Sequence, residues 1–437
     1  MPTVSFHTLG CKLNQAETAA LAEQFTVRGY TVVPWGERAD VSVLNTCTVT
    51  SRSDAKCRQA VSYALNLHPA TTVVVTGCYS QVAARTLASL PGVDFVFGTY
   101  DKFRLFDVFP GPGKQPRAVV VVSVNPDAKA SEGQPAGILP SHTRAFLRIQ
   151  SGCNRRCAYC IVPLARGPSR SLPAEGIMEA ADRLVENGCK EIVLTGTHIG
   201  DFGKDRNGQP GLPGLLLHLA GLHPDVRIRL SSLDPEDLGT PLLDAVASAP
   251  NACRHFHISL QSGSDAVLKA MHRSTTSGSI RNVVNRIASR LGKVGLGADV
   301  IVGFPGETDA RFEETVRFIQ ALPFTYLHVF PFSPRSGTAA ASMPDLLPSR
   351  LRNERAEHLR KVGFRKKNEF QELWIGSEVE VLIESRIDRG TMSGFSSEYV
   401  RVHVPADVRL VNTLARVRVE ERTDRGVFGS VITSEVA

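Results

Sequence analysis

The sequence predicts an α/β protein in three parts: an N-terminal parallel sheet, an incomplete (β/α)6 barrel and a small C-terminal β-barrel. Three observations predict it. Strand-like and helix-like runs alternate up to about residue 100. After a stretch rich in Pro, Gly, Ala and Ser, the alternation returns. Beyond residue 368 only short alternating strands remain. The expected boundaries are 1–110, a linker at 111–140, a core at 141–367 and a tail at 368–437.

In the N-terminal part, "TVSFHTLGC", "DVSVLNTC" and "TTVVVTGC" share one pattern. Each is a β-branched apolar run, then small or polar residues, then a cysteine: Cys11, Cys47 and Cys78. Helical spacing fills the intervals, as in "NQAETAALAEQFTVRG", and "VDFVFGT" is a further strand. This is the pattern of a doubly wound, flavodoxin-like sheet, whose ligand crevice lies outside the carboxyl ends of its strands. All three cysteines fall at that edge. Neighbouring strands are about 4.8 Å apart, so three thiolates can converge on one metal centre. Cys57 lies mid-helix and reads as packing.

The stretch at 111–140 reads as a linker with one valine-rich run, "AVVVVSV", able to form a strand or hairpin. Then come "AFLRIQSGC", "EIVLTGT", "VRIRLSSLDP", "HFHISLQSGS", "GADVIVGFPGET" and "YLHVFPFSP", most followed by a helical segment. Six such units fit an incomplete barrel, whose site is built by the loops after the strands. The first of those loops, "SGCNRRCAYC", carries Cys153, Cys157 and Cys160. A zinc site needs a fourth ligand. His142 precedes the strand, and His198 has no supporting spacing. A ferredoxin-like cluster needs a fourth cysteine, but Cys189 and Cys253 stand just before strands, at the opposite face. The remaining reading is an iron–sulfur cluster with one iron left open.

Composition sets the wider frame. A chain of 437 residues, 42% hydrophobic and 21% charged, fits a globular protein of several domains. There is no run of about eighteen apolar residues and no secretory leader pattern, so no membrane span is expected. A cytoplasmic monomer is the expectation. Nine cysteines in a reducing compartment point to metal or catalytic use. The net charge of +7 permits a nucleic-acid partner without requiring one.

The C-x3-C-x2-C loop at the first strand of an incomplete barrel resembles the signature of the radical S-adenosylmethionine (SAM) superfamily. The resemblance implies a [4Fe–4S] cluster on Cys153, Cys157 and Cys160. SAM would chelate its open iron and be cleaved to a 5′-deoxyadenosyl radical. It also implies SAM contacts from Tyr159, from Gly196, Thr197 and His198 in "TGTHIG", from Ser232, from Gln261 in "SLQSGS" and from Gly303 in "VIVGFPGE". Glu307 is either part of that site or a surface or helix-start residue.

The run 351–367 has seven basic and two acidic residues on a helical pattern and reads as a solvated helix. The strands beyond it resemble a TRAM domain, a small RNA-binding β-barrel, although such a tail can equally be scaffold. Segment 141–170 holds six arginines, including Arg166 and Arg170, and no acid. They suit an anionic substrate or pair with acids elsewhere in the fold.

Taken together the parts resemble the methylthiotransferase family, on "LGCKLNQAET", "NTCTVT", "TGCYSQ", "GCNRRCAYCIVPLARGPSRS" and "LHVFPFSPRSGT". The resemblance spans the whole chain. It implies a second [4Fe–4S] cluster on Cys11, Cys47 and Cys78, whose open iron carries the sulfur to be inserted. "GCKLNQAE" resembles the branch acting at C2 of N6-threonylcarbamoyladenosine beside the tRNA anticodon. Leu172 departs from that branch, where an arginine is usual. Lys12, Asn14 and Gln15 either face the substrate or begin the next helix. The implied partners are tRNA, a sulfur donor and a low-potential electron donor. The alternatives are methylthiolation of isopentenyl-adenosine or of a ribosomal protein, or a non-catalytic RNA-binding iron–sulfur protein.

Overall fold

The computed structural model describes residues 1–124, 143–384 and 387–434. Residues 125–142, which hold His142 and most of the expected linker, lie outside the described residues.

The N-terminal sheet consists of β1 (Thr3–Thr8), β2 (Thr31–Val33), β3 (Val41–Thr46), β4 (Thr72–Gly77), β5 (Val93–Phe97) and β6 (Val119–Val121). Its order is β2-β1-β3-β4-β5-β6 and every pairing is parallel. β3 and β4 are buried along their whole length, as strands covered by helices on both faces must be. Alternation divides their side chains between two cores. Val41, Val43 and Val74 join Phe25, Phe95 and Phe97 on one face. Leu44, Val73 and Val75 join Leu87, Val96 and Cys57 on the other. The valine run in the expected linker does form a strand, β6, but it joins this sheet, which therefore continues past residue 110.

The central barrel begins with β7 (Ala145–Arg148). A two-stranded ribbon, β8 (Gln150–Ser151) with β9 (Arg170–Ser171), then closes the neck of the cysteine loop. The remaining strands are β10 (Glu191–Thr195), β11 (Arg227–Leu230) continuing as β12 (Ser232–Leu233), β13 (His255–Gln261), β14 (Gly295–Val302) and β15 (Tyr326–Pro331). Two parallel sheets result, β11-β10-β7 and β12-β13-β14-β15. Together they give the six strand positions expected. Among the described residues β15 does not pair with β7, so the barrel stays open. One apolar core joins the strands to the surrounding helices.

Five antiparallel or mixed strands form a closed C-terminal barrel, consistent with a TRAM domain: β16 (Glu378–Ile383), β17 (Thr391–Ser396), β18 (Arg401–Pro405), β19 (Leu414–Thr423) and β20 (Gly426–Ser434). It packs under the starts of the central strands. Glu191, fully buried, receives Arg229 at 2.8 Å and Arg227 at 2.7 Å. The same guanidinium groups donate to the carbonyls of Phe395, Ser396 and Ser397. Tyr399 stacks on His255 at 4.5 Å between ring centroids. The C-terminal barrel therefore plugs the bottom of the central one.

Candidate active site

β1, β3 and β4 lie side by side, and each ends at a cysteine. Cys11 stands at the N-cap of helix α1 (Lys12–Val27), where an oxygen side chain is usual. It makes no capping hydrogen bond to the backbone; its thiol donates instead to Asn14 Oδ1 at 3.8 Å. Gly10 has φ +104°, and a Cβ there would lie 2.5 Å from the Cβ of Cys47. Only glycine lets these two chains approach so closely. Burial pushes the Cys47 thiol up to about 11, and Cys78 and Cys11 are near enough to add to that shift. The structure thus brings the three thiols together.

Cys153, Cys157 and Cys160 lie in the loop above β7. Gln150 shapes it: its amide nitrogen donates to the Gly152 carbonyl at 2.7 Å, and its oxygen accepts from Thr197 and His198 N–H. The Gly152 N–H donates to Thr197 Oγ1. The "TGTHIG" turn is thereby tied to the cysteine loop. His198 is buried against Asp237 at 2.7 Å and Asp201 at 3.0 Å. Burial disfavours its charge, but hydrogen bonds to Asp201, Asp237 and Cys153 outweigh that and lift it to about 11. Arg273, bonded to Asp234 at 2.7 Å, also points at Cys157 Sγ, 3.7 Å away.

A cavity of about 230 Å³ is lined by Cys160 of the barrel loop and by the segment just past Cys47. Val49 and Thr50, just past Cys47, form one wall; Tyr159 and Cys160 form another; Gln261 and Asp299 belong to the barrel interior. Gln261 takes a left-handed φ of +65° where β13 breaks register, a strained backbone of the kind that collects at functional sites. Ser232 is exposed at the barrel mouth.

Several expected roles change. Arg166 was expected to face an anionic substrate. It is 2% exposed, and its donors are engaged by Glu17, Asn14, Ser151 and Cys78. Glu17 in turn holds Lys102 at 2.6 Å. Asn14 is fully buried, bonding the carbonyls of Leu9 and Thr46, so it frames the triplet and does not face substrate. Gln15 begins α1, partly exposed. Arg170 lies over the Tyr100 ring and donates to the carbonyls of Arg166 and Pro168. Lys12 opens α1 and is partly exposed; burial and the nearby Arg229 lower its amine to about 8. Glu307 is neither a surface residue nor a cavity residue. It is 2% exposed and binds the Gly303 N–H and Arg355, which makes it the brace of the "GFPGE" turn. Cys189 and Cys253 precede β10 and β13 at the far end of the barrel.

Sequence reasoning missed Arg335. It donates to Asp54 and to Thr48, next to Cys47, and so latches a barrel loop onto the N-terminal sheet. It also missed Arg273 and Asp299, whose roles appear only once distant strands meet.

The radical SAM superfamily model matches residues 147–319. The model described as "Uncharacterized protein family UPF0004" matches residues 3–98. The threonylcarbamoyladenosine tRNA methylthiotransferase MtaB of Bacillus subtilis is 34% identical over 100% of this chain and 98% of its own length. That of Aquifex aeolicus is 38% identical over 87% and 92%. The chain belongs to the radical SAM methylthiotransferase family. The tRNA-2-methylthio-N(6)-dimethylallyladenosine synthase of Staphylococcus saprophyticus, 31% identical over 99% of this chain and 85% of its own length, lies in the same family. Among solved structures, the radical SAM methyltransferase TsrM of Kitasatospora setae shares the fold, with a TM-score of 0.58 at 15% identity over 78% of this chain and 77% of that one. As in any radical SAM enzyme, this methylthiotransferase uses SAM and a [4Fe–4S] cluster. Among its described residues no helix is long and apolar enough to cross a membrane.

Proposed function

We propose that this methylthiotransferase places a methylthio group at C2 of N6-threonylcarbamoyladenosine beside the anticodon of tRNA. It would act as a monomer in the cytoplasm, served by a sulfur donor and a low-potential electron donor. The observation that carries the reading is a cavity lined both by Cys160 of the barrel loop and by Val49 and Thr50, which follow Cys47 of the N-terminal sheet. Cys153, Cys157 and Cys160 would hold the SAM-binding cluster; Cys11, Cys47 and Cys78 would hold a second one.

The donor sets fit such groups. Two sets of ligand atoms among the described residues fall within 4.8 Å of one another, and neither contains a cysteine. Tetrahedral zinc, with Zn–S of about 2.3 Å, holds its sulfurs about 3.8 Å apart. The triplets are too wide for one ion, and multi-iron clusters held by soft thiolates suit them better. Bound there, the clusters and SAM supply a radical able to remove hydrogen from an unactivated C–H bond, and the sulfur that replaces it.

The chain's own residues do the rest. Gln150 would orient Gly196, Thr197 and His198 toward SAM, and Tyr159 and Gln261 border the cavity; Ser232 is not among its lining residues. Val49 and Thr50 line one side of the cavity. The TRAM-like barrel would grip RNA. Gly303 is a weaker SAM contact, since its N–H is held by Glu307.

The substrate assignment leans on the relatives named for threonylcarbamoyladenosine, up to 38% identical, against 31% or less for those named for dimethylallyladenosine. Nucleoside analysis of tRNA from a deletion strain tests it. The methylthio form of threonylcarbamoyladenosine should vanish. Its persistence, with methylthio-isopentenyladenosine lost, would reverse the assignment. A non-catalytic iron–sulfur protein is disfavoured because a structural cluster is normally fully ligated by its protein.

A further inference from the structure

We propose that Arg335 is a positioning residue for the reaction. It fixes the Cys47 end of the N-terminal triplet against the barrel's cysteine loop, so that both centres act on one substrate carbon. This role rests on the two-centre reading above.

The loop after β15 touches both cysteine sites. At one end, the Ala340 N–H donates to the Ala158 carbonyl at 2.7 Å. Ala158 directly follows Cys157, and it packs with Ala340, Phe304 and Phe332 in a small buried apolar cluster. At the other end, Arg335 donates to Thr48 Oγ1 at 2.6 Å and to Asp54. Thr48 directly follows Cys47 and is fully buried. Between these ends the chain is pinned in a turn. The Thr338 N–H and hydroxyl both donate to the Arg335 carbonyl, at 3.1 and 2.7 Å. The stretch 335–340 is thus a short strap from the neighbour of Cys157 to the neighbour of Cys47.

The Arg335 end is specific. Thr48 spends its hydroxyl proton on Asp54 at 2.8 Å, so its oxygen is left to accept from Arg335. Asp54, in the first turn of helix α2 (Ser51–Leu67), accepts from both. The three side chains close a ring whose charge-assisted bonds hold one geometry. A weaker contact, from the Ser51 N–H to Ser333 Oγ at 3.2 Å, lies beside it. Val49, Thr50 and Ser333 belong both to these joined segments and to the cavity wall. Arg166 already ties the barrel to Cys78 and to α1. Arg335 adds a tie at the end of another strand, β3. Ties at separate strands fix orientation as well as separation. Two centres that act in turn on one carbon need both, since a misplacement of about 1 Å costs about a hundredfold in rate.

The test uses reconstituted full-length enzyme and two anticodon stem-loop RNAs, one carrying threonylcarbamoyladenosine and one isopentenyladenosine. Whichever RNA wild type modifies serves as substrate. Arg335→Met should form 5′-deoxyadenosine at close to the wild-type rate but methylthio nucleoside about a hundredfold more slowly. Arg335→Lys should recover part of the loss, because a single guanidinium nitrogen makes both contacts. Asp54→Asn should show the same split between products. The double variant should be no worse than Arg335→Met, since both substitutions act through one contact. Amide hydrogen exchange over 47–54, measured with and without the clusters, should quicken in Arg335→Met and stay unchanged in β4. An Arg335→Met enzyme that keeps the wild-type ratio of the two products overturns the proposal. So does one that loses both products equally, which would make the residue merely structural. Unchanged exchange over 47–54, or additive losses in the double variant, overturn it as well. Thermal melting checks folding; if Arg335→Met does not fold, Asp54→Asn decides by the same ratio. Modification of the isopentenyl RNA alone would overturn the substrate assignment and leave this test intact. Modification of neither RNA would overturn both.

Discussion

Arg166 Nε lies 3.2 Å from Cys78 Sγ. The arginine belongs to the barrel segment that follows the second cysteine triplet, and the thiol belongs to the first. The same guanidinium makes a two-pronged contact with Glu17 at 2.8 and 3.0 Å and touches Ser151, two residues from Cys153. One side chain therefore joins both cysteine sites. Burial opposes the charge on Glu17, but Arg166 and Lys102 hold its carboxyl well below the usual range. Removing one member of such a buried group strands the others.

Arg166→Gln should therefore destabilise the protein by about 3 kcal/mol, read by urea unfolding. Arg166→Lys should not rescue it, because a lysine cannot match the fork geometry. In the reconstituted enzyme the loss of a donor on Cys78 should lower the reduction potential of the cluster proposed for the N-terminal triplet, since hydrogen bonds to sulfur help set it. An unchanged potential in a folded variant would detach Arg166 from that cluster.

The two triplets should fail differently. Cys153→Ala should abolish 5′-deoxyadenosine formation, because SAM would lose its iron. Cys47→Ala should still form 5′-deoxyadenosine but yield no methylthio nucleoside. Loss of both products in a Cys47→Ala protein whose barrel cluster is intact would contradict this division.

How much of this was legible in the chain depended on whether the signal was local. β1, β3 and β4 are β-branched runs ending in small residues and cysteine, and alternation alone placed their thiols at one sheet edge. β17 was not legible. "TMSGFS" is rich in residues typical of loops, and it forms a strand because Gly394 leaves room for the Leu382 carbonyl of the paired strand. Arg166 showed a charge in the sequence but not its partner: Glu17 lies 149 positions away, in another unit. Glu307 was ambiguous for the same reason, since Arg355 reaches it only after folding. Local periodicity gave the elements; pairing across units decided which charges were free, and that decided the site.

Gly152 offers a sharper test of the barrel site. Its φ is +81°, and a Cβ there would overlap the Pro168 carbonyl. Gly152→Ala should displace the neck of the cysteine loop, and with it the Cys153 N–H that donates to Gly167 O at 3.0 Å. The expected result is about tenfold slower SAM cleavage, equivalent to about 1.4 kcal/mol, within the range of about 1–3 kcal/mol that a strained backbone costs. Arg166 directly precedes the displaced Gly167–Pro168 turn and bonds Cys78, so iron content should be read for both sites. Full SAM cleavage by Gly152→Ala would show that the loop tolerates a second geometry.

Glu191 links the central barrel to the C-terminal one, and its linkage has a definite sign. Burial disfavours its charge, but Arg229 and Arg227 outweigh that and lower its carboxyl from an ordinary 4.5 to about 2. A carboxyl lowered on folding stabilises the protein above its unfolded value. That contribution is lost as pH falls through the folded one. Between pH 4.5 and 2 the docking of the C-terminal barrel should therefore weaken by about 3 kcal/mol, at 1.36 kcal/mol per pH unit. Many carboxylates titrate in that range, so wild type alone cannot assign the effect. Glu191→Gln isolates it. Near neutral pH the variant should melt well below wild type, because Arg229 and Arg227 stay buried without their counter-charge. As pH drops through the window wild type loses the same charge, and the two melting temperatures should converge. A gap that stays constant from pH 5 down to 2 would mean that the neutral hydrogen bonds and the Tyr399 stack, and not the carboxylate, hold the plug in place.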